Sequence, residues 1–298
     1  MIVAKSDELI KYTHKKTAAA LGSFDAIHKG HIAIIAEAVR YAKQNDMLSM
    51  VQLFEVPPAV TDGAGAINTL KKRIEIIEAL GADIVVLERF DDDFKSIEYN
   101  DFVYDYLKNR YNCGAVIAGN NYRFGHFAKG DAHCLTELCR GFDIDVKILD
   151  CLEFEGIISS TRIRECIKSG DVEQASMLMT RPYSVSGKVI HGKALGHSIG
   201  FPTANINIPE GRIVPKDGVY TSCVKIDKQV FAGITNVGTK PTVGCDMRNI
   251  ETHIKNFDGD LYDKIIEVGF LKRIRDIKTF NNMSELKTQL EDDMKRLS

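Results

Sequence analysis

The sequence predicts an α/β chain in two parts: a parallel sheet covered on both faces, then a small β-barrel or sandwich closed by a helix. Three observations predict it. Short, continuously apolar runs alternate with helical periodicities over roughly the first 150 residues. Beyond Pro182 the chain becomes β-rich and is punctuated by Gly and Pro. The length of 298 residues suits about two domains at roughly 150 residues each.

Taken in order, Thr17 to Gly22 reads as a short buried strand. A helix follows over about Gly30 to Gln44, with Ile32, Ile35, Ala36 and Val39 spaced to form one apolar face. Leu48 to Phe54 is a strand. Thr69 to Leu80 is a helix with Leu70, Ile74 and Ile77 on one side. Asp83 to Leu87 is a strand, Tyr99 to Arg110 a helix, Ala115 to Ala118 a strand and Ile144 to Leu149 another. In such sheets ligands bind beyond the carboxyl ends of the strands. Two short helices follow, Thr161 to Lys168 and Asp171 to Met179, the second opening with Asp171 and Gln174 in a capping-box-like pattern. Strands are expected at Tyr183–Ile190, Gly218–Ile226, Val230–Val237, Ile250–Ile254 and Ile265–Leu271. A last helix, Ser284 to Leu297, carries Leu286, Leu290, Met294 and Leu297 on one face. The expected domains are 1–182 and 183–298, with no low-complexity linker and no internal repeat.

Composition narrows the function classes. Hydrophobic residues are 44% and charged residues 27%, which excludes a disordered or fibrous chain. The formal charge of −2 argues against a nucleic-acid partner, which would demand a basic excess. No apolar run reaches the ~20 residues of a spanning helix, so no membrane partner is expected. The opening residues, Met1 to Glu8, carry an early acidic pair and no apolar centre, unlike a secretory leader. The seven cysteines include no CxxC pair, which supports neither a disulfide framework nor a zinc site. A cytoplasmic protein is expected.

Two constellations carry chemistry. The first strand runs into Gly22-Ser23-Phe24-Asp25-Ala26-Ile27-His28-Lys29-Gly30-His31, just before a helix. His31 then sits at a helix N-terminus, where free N–H groups and the macrodipole favour phosphate. Gly30 allows close backbone approach, and His28 and His31 can both hydrogen-bond phosphate oxygens. Ser159, Ser160 and Thr161 open a later helix with Arg164 close by, a second cradle for phosphate. At the end of another strand, Asn121 with Tyr122 and Phe124 could fix and stack a flat heteroaromatic ring. Phe54 to Pro58 offers a further wall.

The β-rich half holds the second constellation. A glycine-rich stretch from Gly187 through Gly192, Gly196 and Gly200 could wrap phosphates with backbone N–H groups. Thr203 and Asn205, two apart on an extended segment, point the same way and could place oxygens on Mg²⁺. Glu251 shares a strand face with His253, opposite Ile250 and Ile254, and is suited to take a proton from an attacking hydroxyl.

The H-x-G-H and I-S-S-T-x-x-R segments resemble those of nucleotidyltransferases that attack the α-phosphate of a nucleoside triphosphate and release pyrophosphate. The wider order of segments is similar to the bacterial bifunctional riboflavin kinase / FAD synthetase family: GSFDAIHKGH, GNNYRFG, ISSTRIRECIKSGDVEQA, RPYSVSGKVIHG, GFPTAN, GVY, GTKPTVG, IETHI, GDLY and FLKRIR. The resemblance implies a Rossmann-like FMN adenylyltransferase domain over 1–182 and an antiparallel β-barrel riboflavin kinase domain over 183–298. Riboflavin and ATP would give FMN. FMN and a second ATP, with Mg²⁺, would give FAD and pyrophosphate.

Carried onto matching positions, Gly22, Phe24, His28, Gly30, His31, Ser159, Ser160, Thr161 and Arg164 would serve ATP in the first domain. Phe54, Pro58, Asn121 and Phe124 would contact the flavin there. Gly192, Gly196, Gly200, Thr203 and Asn205 would hold ATP and Mg²⁺ in the second, with Glu251 as base. Activity of one module alone, or a non-catalytic flavin- or nucleotide-responsive protein, are the alternatives. The oligomeric state stays open. The chain departs from the family pattern at Ala26, at Val56-Pro57 in place of Pro-His, at Asn120 where an acid is common, at Asp263 where Gly is usual, and at Ile277 where Glu is expected after Arg275.

Overall fold

The computed structural model describes residues 1–12, 14–191, 200–242 and 245–297. It divides into two compact units, Met1–Ser160 and Thr161–Ser298.

The first unit is built on strands β1 (Ile2–Lys5), β2 (Thr17–Ala20), β3 (Leu48–Phe54), β4 (Ile84–Glu88), β5 (Cys113–Gly119) and β6 (Asp145–Leu149). They form one sheet in the order β1-β4-β3-β2-β5-β6. Every pairing in it is parallel. The helices are α1 (Lys29–Gln44), α2 (Pro58–Thr61), α3 (Leu70–Ala79), α4 (Asp92–Lys95), α5 (Tyr99–Asp101) and α6 (Ala132–Arg140). Successive side chains of the inner strands feed opposite cores. Ala18, Ala20, Val51, Leu53 and Val85 pack beneath α1, whereas Ala19, Met50, Ile84, Val86 and Val116 face Phe102, Leu107 and Leu135. The inner strands β2, β4 and β5 are covered on both faces and read as nearly unbroken apolar runs, whereas the edge strand β6 alternates and leaves Asp145 and Lys147 exposed.

Strand β1 and the short helices α2 and α4 lie where no element is expected, and further details differ from expectation. The buried face of α1 is Ile34, Ile35, Ala38, Val39 and Ala42, and Ala36 is exposed. The expected stripe, extended one step past Val39, runs into Lys43; the observed one reaches Ala42 and stays apolar to the end of the helix. Phe102–Arg110 follows α5 with π winding, one residue wider than an α-helix. Helix α6 lies in a region with no expected element. Asp131 caps it by accepting from the Cys134 N–H at 2.9 Å, and Leu135 and Cys139 anchor it in the core.

The second unit begins with α7 (Ser160–Ser169) and α8 (Val172–Met179), α7 starting at the division itself. Asp171 caps α8 by accepting from the Gln174 N–H at 3.0 Å, as its sequence predicts. Strands β7 (Tyr183–Ile190), β8 (Thr203–Ile206), β9 (Gly218–Ile226), β10 (Gln229–Thr242), β11 (Cys245–Ile254) and β12 (Ile265–Arg275) close a barrel in the order β10-β11-β8-β7-β12-β9. All its pairings are antiparallel and the sheet closes on itself, so the barrel alternative holds over the sandwich and, among the described residues, no long edge is left unpaired. Ile206, Val224, Ile250, Val268 and Phe270 are among its buried residues. Three buried hydroxyls satisfy one another: Thr235 contacts Ser222 at 2.8 Å and Thr252 at 2.9 Å. Gly187 is a strand residue of this barrel, paired with Ile266, and a Cβ there would lie 2.1 Å from the Asn207 carbonyl oxygen, so only glycine fits.

Helix α9 (Met283–Met294) closes the chain, with Leu286, Leu290 and Met294 half-buried. Its one fully buried side chain is Asp293, which binds Arg275 on β12 through the guanidinium Nε at 3.0 Å and Nη2 at 2.7 Å. Asp293 therefore supplies to Arg275 the carboxylate that Ile277 lacks.

Candidate active sites

The first site gathers at the carboxyl ends of the parallel strands. After β2 the chain turns sharply, with Phe24 at φ 44° and Ile27 at φ 45°, values that side-chain-bearing residues adopt at a cost. Both residues are fully buried, so packing holds the strain. His28 caps α1: its Nδ1 accepts from the His31 N–H at 3.3 Å, which leaves the proton of the neutral ring on Nε2. The two imidazoles stack with centroids 3.7 Å apart, and Phe24 meets His31 edge-on at 5.0 Å. A Cβ on Gly30 would come within 3.2 Å of the His28 ring, so glycine makes room for the stack. His28 is largely buried and His31 half-buried. Ser159 is half-buried, and the Ser160 Oγ, at the first residue of α7, is buried without a hydrogen-bond partner among the described residues. Thr161, exposed, and Arg164, buried, belong to the second unit.

Phe54 ends β3 and packs edge-on against Phe90 at 5.2 Å and Phe94 at 5.3 Å. Pro57 and Pro58 stand at the cap and first position of α2, where proline's fixed φ suits a helix start, and Val56 is exposed. Beyond β5, Asn121 is exposed, whereas Phe124 is 6% exposed and stacked on Tyr122. Asn120 donates to Asp150 at 3.1 Å and accepts from the Cys151 thiol at 2.9 Å. An acid there would face the Asp150 carboxylate, which accounts for the amide.

The second site lies on the barrel. Antiparallel register sets Asn205 opposite Glu251 and Thr203 opposite His253, so all four side chains share one face. The Thr203 hydroxyl donates to Glu251 Oε1 at 2.5 Å. Asn205 is buried and accepts from Asn249 Nδ2 at 3.2 Å. His253 contacts the Pro202 carbonyl through Nδ1 at 2.9 Å, pinning the turn before Thr203. A cleft of about 600 Å³ opens beside Thr203, bordered by Val189, Ile254, Phe257, Asp258 and Tyr262. The Phe257–Tyr262 loop that borders the cleft carries the G-D-L-Y segment. Gly200 has φ 83°; Gly192 and Gly196 lie outside the described residues. Asp263 has φ 65°, which explains why glycine suits this position. Aspartate tolerates it, and its carboxylate pairs with Lys188 at 2.8 Å.

Residues 10–162 match the family model for FAD synthetase, and residues 179–298 that for riboflavin kinase. The chain is 32% identical over 293 residues to the bifunctional riboflavin kinase/FMN adenylyltransferase of Bacillus subtilis, covering 96% of this chain and 92% of that one. It is 31% identical over 296 residues to the protein of the same description from Buchnera aphidicola subsp. Schizaphis graminum. The chain belongs to the bifunctional riboflavin kinase/FMN adenylyltransferase family. The parallel-sheet unit contains most of the FAD synthetase match and the barrel lies within the riboflavin kinase match, in the expected order.

A crystal structure described as a macrolide-efflux protein from Streptococcus pneumoniae has a TM-score of 0.92 and 31% identity, covering 100% of this chain and 99% of that one. Efflux is said of that protein. Among the described residues here, no helix is long and apolar enough to cross a membrane.

Proposed function

We propose that this bifunctional enzyme phosphorylates riboflavin to FMN with ATP at the barrel face of Glu251, and adenylylates FMN to FAD at the carboxyl ends of the parallel sheet. The observation that carries the reading is the Thr203–Asn205–Glu251 face: a carboxylate on a rigid strand beside two neutral oxygen donors, one of which, Thr203, also borders the cleft. In the kinase step the riboflavin 5′-hydroxyl oxygen attacks the γ-phosphorus of ATP. The bond to the β,γ-bridging oxygen breaks, ADP leaves, and Glu251 takes the hydroxyl proton. In the adenylyl step an FMN phosphate oxygen attacks the α-phosphorus of ATP and pyrophosphate leaves. No side chain forms a covalent bond. In the first unit His28, His31, the α1 N-terminus, Ser159 and Ser160 would hold phosphate oxygens. Phe54, Pro58 and Asn121 would border the flavin, with Phe124 backing it.

The donors of the barrel face fit Mg²⁺: the Thr203 hydroxyl and Asn205 carbonyl are hard oxygens, and Thr203 donates to Glu251, leaving its lone pairs available. Thr203 and Asn205 would hold the ion, which when bound neutralises charge on the ATP phosphates. The proposed boundary between the activities is 182/183, where β7 begins, and the proposed compartment is the cytoplasm.

The test is chromatography of flavins made from riboflavin, ATP and Mg²⁺. Glu251→Gln should lower FMN formation by about 10²- to 10⁴-fold while FAD synthesis from supplied FMN persists. His31→Ala should do the reverse. Undiminished riboflavin phosphorylation by Glu251→Gln would remove Glu251 from the mechanism.

A further inference from the structure

A short segment, Ile67 to Arg73, touches both walls of the proposed adenylyltransferase site. At one end, the Asp25 carboxylate accepts from the Ile67 N–H at 3.2 Å and the Asn68 N–H at 3.4 Å. Asn68 returns the contact: its Nδ2 donates to the carbonyl of Asp25 at 2.7 Å and to that of Ala26 at 3.1 Å. At the other end, Arg73 donates through Nη1 to the Phe54 carbonyl and through Nη2 to the Glu55 carbonyl, both at 2.7 Å. Between them Thr69 caps α3, its hydroxyl accepting from the Lys72 N–H at 3.2 Å. Asn68 is 5% and Arg73 1% exposed, so neither side chain has a surface to offer a substrate.

We propose that Asn68 and Arg73 are positioning residues of the adenylyltransferase: Asn68 sets the loop that aims His28 and His31 at the nucleotide, and Arg73 sets the wall that Phe54 presents to the flavin. The proposal rests on the reading that those histidines serve ATP and that Phe54 borders FMN. Its physical basis is local. Asp25 and Ala26 lie between Phe24 and Ile27, the two residues held at positive φ. A backbone bent against its preference persists only when its surroundings over-determine it. The two bonds from Asn68 fall on the carbonyls inside that bend. Arg73 holds two successive carbonyls at the point where β3 stops and the chain turns outward. Its planar fork spans both; a single ammonium presents no such pair. Because the two contacts act on different walls, they should affect different substrates.

The experiment measures FAD synthesis by the full chain, varying ATP and FMN separately, with riboflavin phosphorylation as the internal control. Asn68→Asp turns a donor into an acceptor facing two carbonyls. It should raise KM for ATP about 10- to 100-fold and leave KM for FMN within about twofold. Arg73→Lys should do the opposite, raising KM for FMN with KM for ATP little changed. The kinase rate should hold in both. Equal effects on both substrates, or none, overturn the proposal. If either variant is unfolded at assay temperature, Asn68→Ala and Arg73→Gln, which bury no new charge, must show the same split, and its absence is equally fatal. His31→Ala and Phe54→Ala test the underlying reading. Should they shift their own substrates while the Asn68 and Arg73 variants do not, the positioning role fails and the site assignment survives. If Phe54→Ala leaves FMN kinetics unchanged, the flavin wall itself is wrong and the role of Arg73 goes with it.

Discussion

Asp293→Ala should release α9 from the barrel. Asp293 is 1% exposed and takes four hydrogen bonds: from Arg275 Nε at 3.0 and 3.1 Å, from Arg275 Nη2 at 2.7 Å and from Gln289 at 3.0 Å. Removing one partner of a buried pair costs roughly 3–5 kcal/mol, because the other charge is left without compensation. Here Arg275 keeps a bond to the Asp276 carbonyl at 3.1 Å, and its side chain is 15% exposed, so it can partly rehydrate. The lower end of the range applies, about 3 kcal/mol. At about 1.4 kcal/mol per factor of ten, that is a hundredfold or more increase in opening. The assay is amide hydrogen exchange along Met283–Met294, with a denaturant midpoint for the whole unit. Protection in α9 should fall by that factor while the β9 and β12 amides change less. The double variant Arg275→Met/Asp293→Leu should recover most of the loss, since a buried ion pair is replaceable by apolar packing. A change under about 1 kcal/mol, or a double variant whose losses simply add, would refute the assignment of Asp293 as the clasp.

Three further outcomes are expected. Glu88 is buried, which raises its carboxyl pKa, with hydrogen bonds from Tyr111 at 2.6 Å and from Ser6 opposing the rise. A raised folded pKa means that its contribution is fully present below the unfolded value, about 4.3, and is lost as pH rises through the folded value. Glu88→Gln should thus gain in melting temperature over the parent as pH goes from 4 towards 8; a gap that shrinks contradicts the sign. Asp263→Gly should leave the denaturation midpoint of the barrel close to the parent's, because it exchanges an exposed ion pair for relief at φ 65°. Asp263→Val, a β-branched residue in the same left-handed conformation, should cost about 1–2 kcal/mol by the same measurement.

Much of the site was legible because its signals are local. A strand running into H-x-G-H and a helix fixes where His28 and His31 stand, since both follow from one loop and one helix start. Strand alternation alone puts Glu251 and His253 on one face. Phe124 shows the limit of such reasoning: the aromatic pattern after β5 pointed to a ligand, yet its ring is buried against Tyr122 and Phe102. Asn68 and Arg73 carry no motif, and their partners lie 42 and 19 residues away in the chain, beyond any local pattern.

By itself the sequence determined the class of each half and the order of most of its elements, and it nominated the candidates for the chemistry. These rest on period, turn chemistry and segment order, which act over a few residues at a time. Only the tertiary structure decided which stripe of α1 is buried, that Asn205 stands opposite Glu251, and that Asp293 answers Arg275. Each of these is a pairing between distant parts of the chain. Register and packing choose such pairings by excluding water from both partners at once, and no single segment contains that choice.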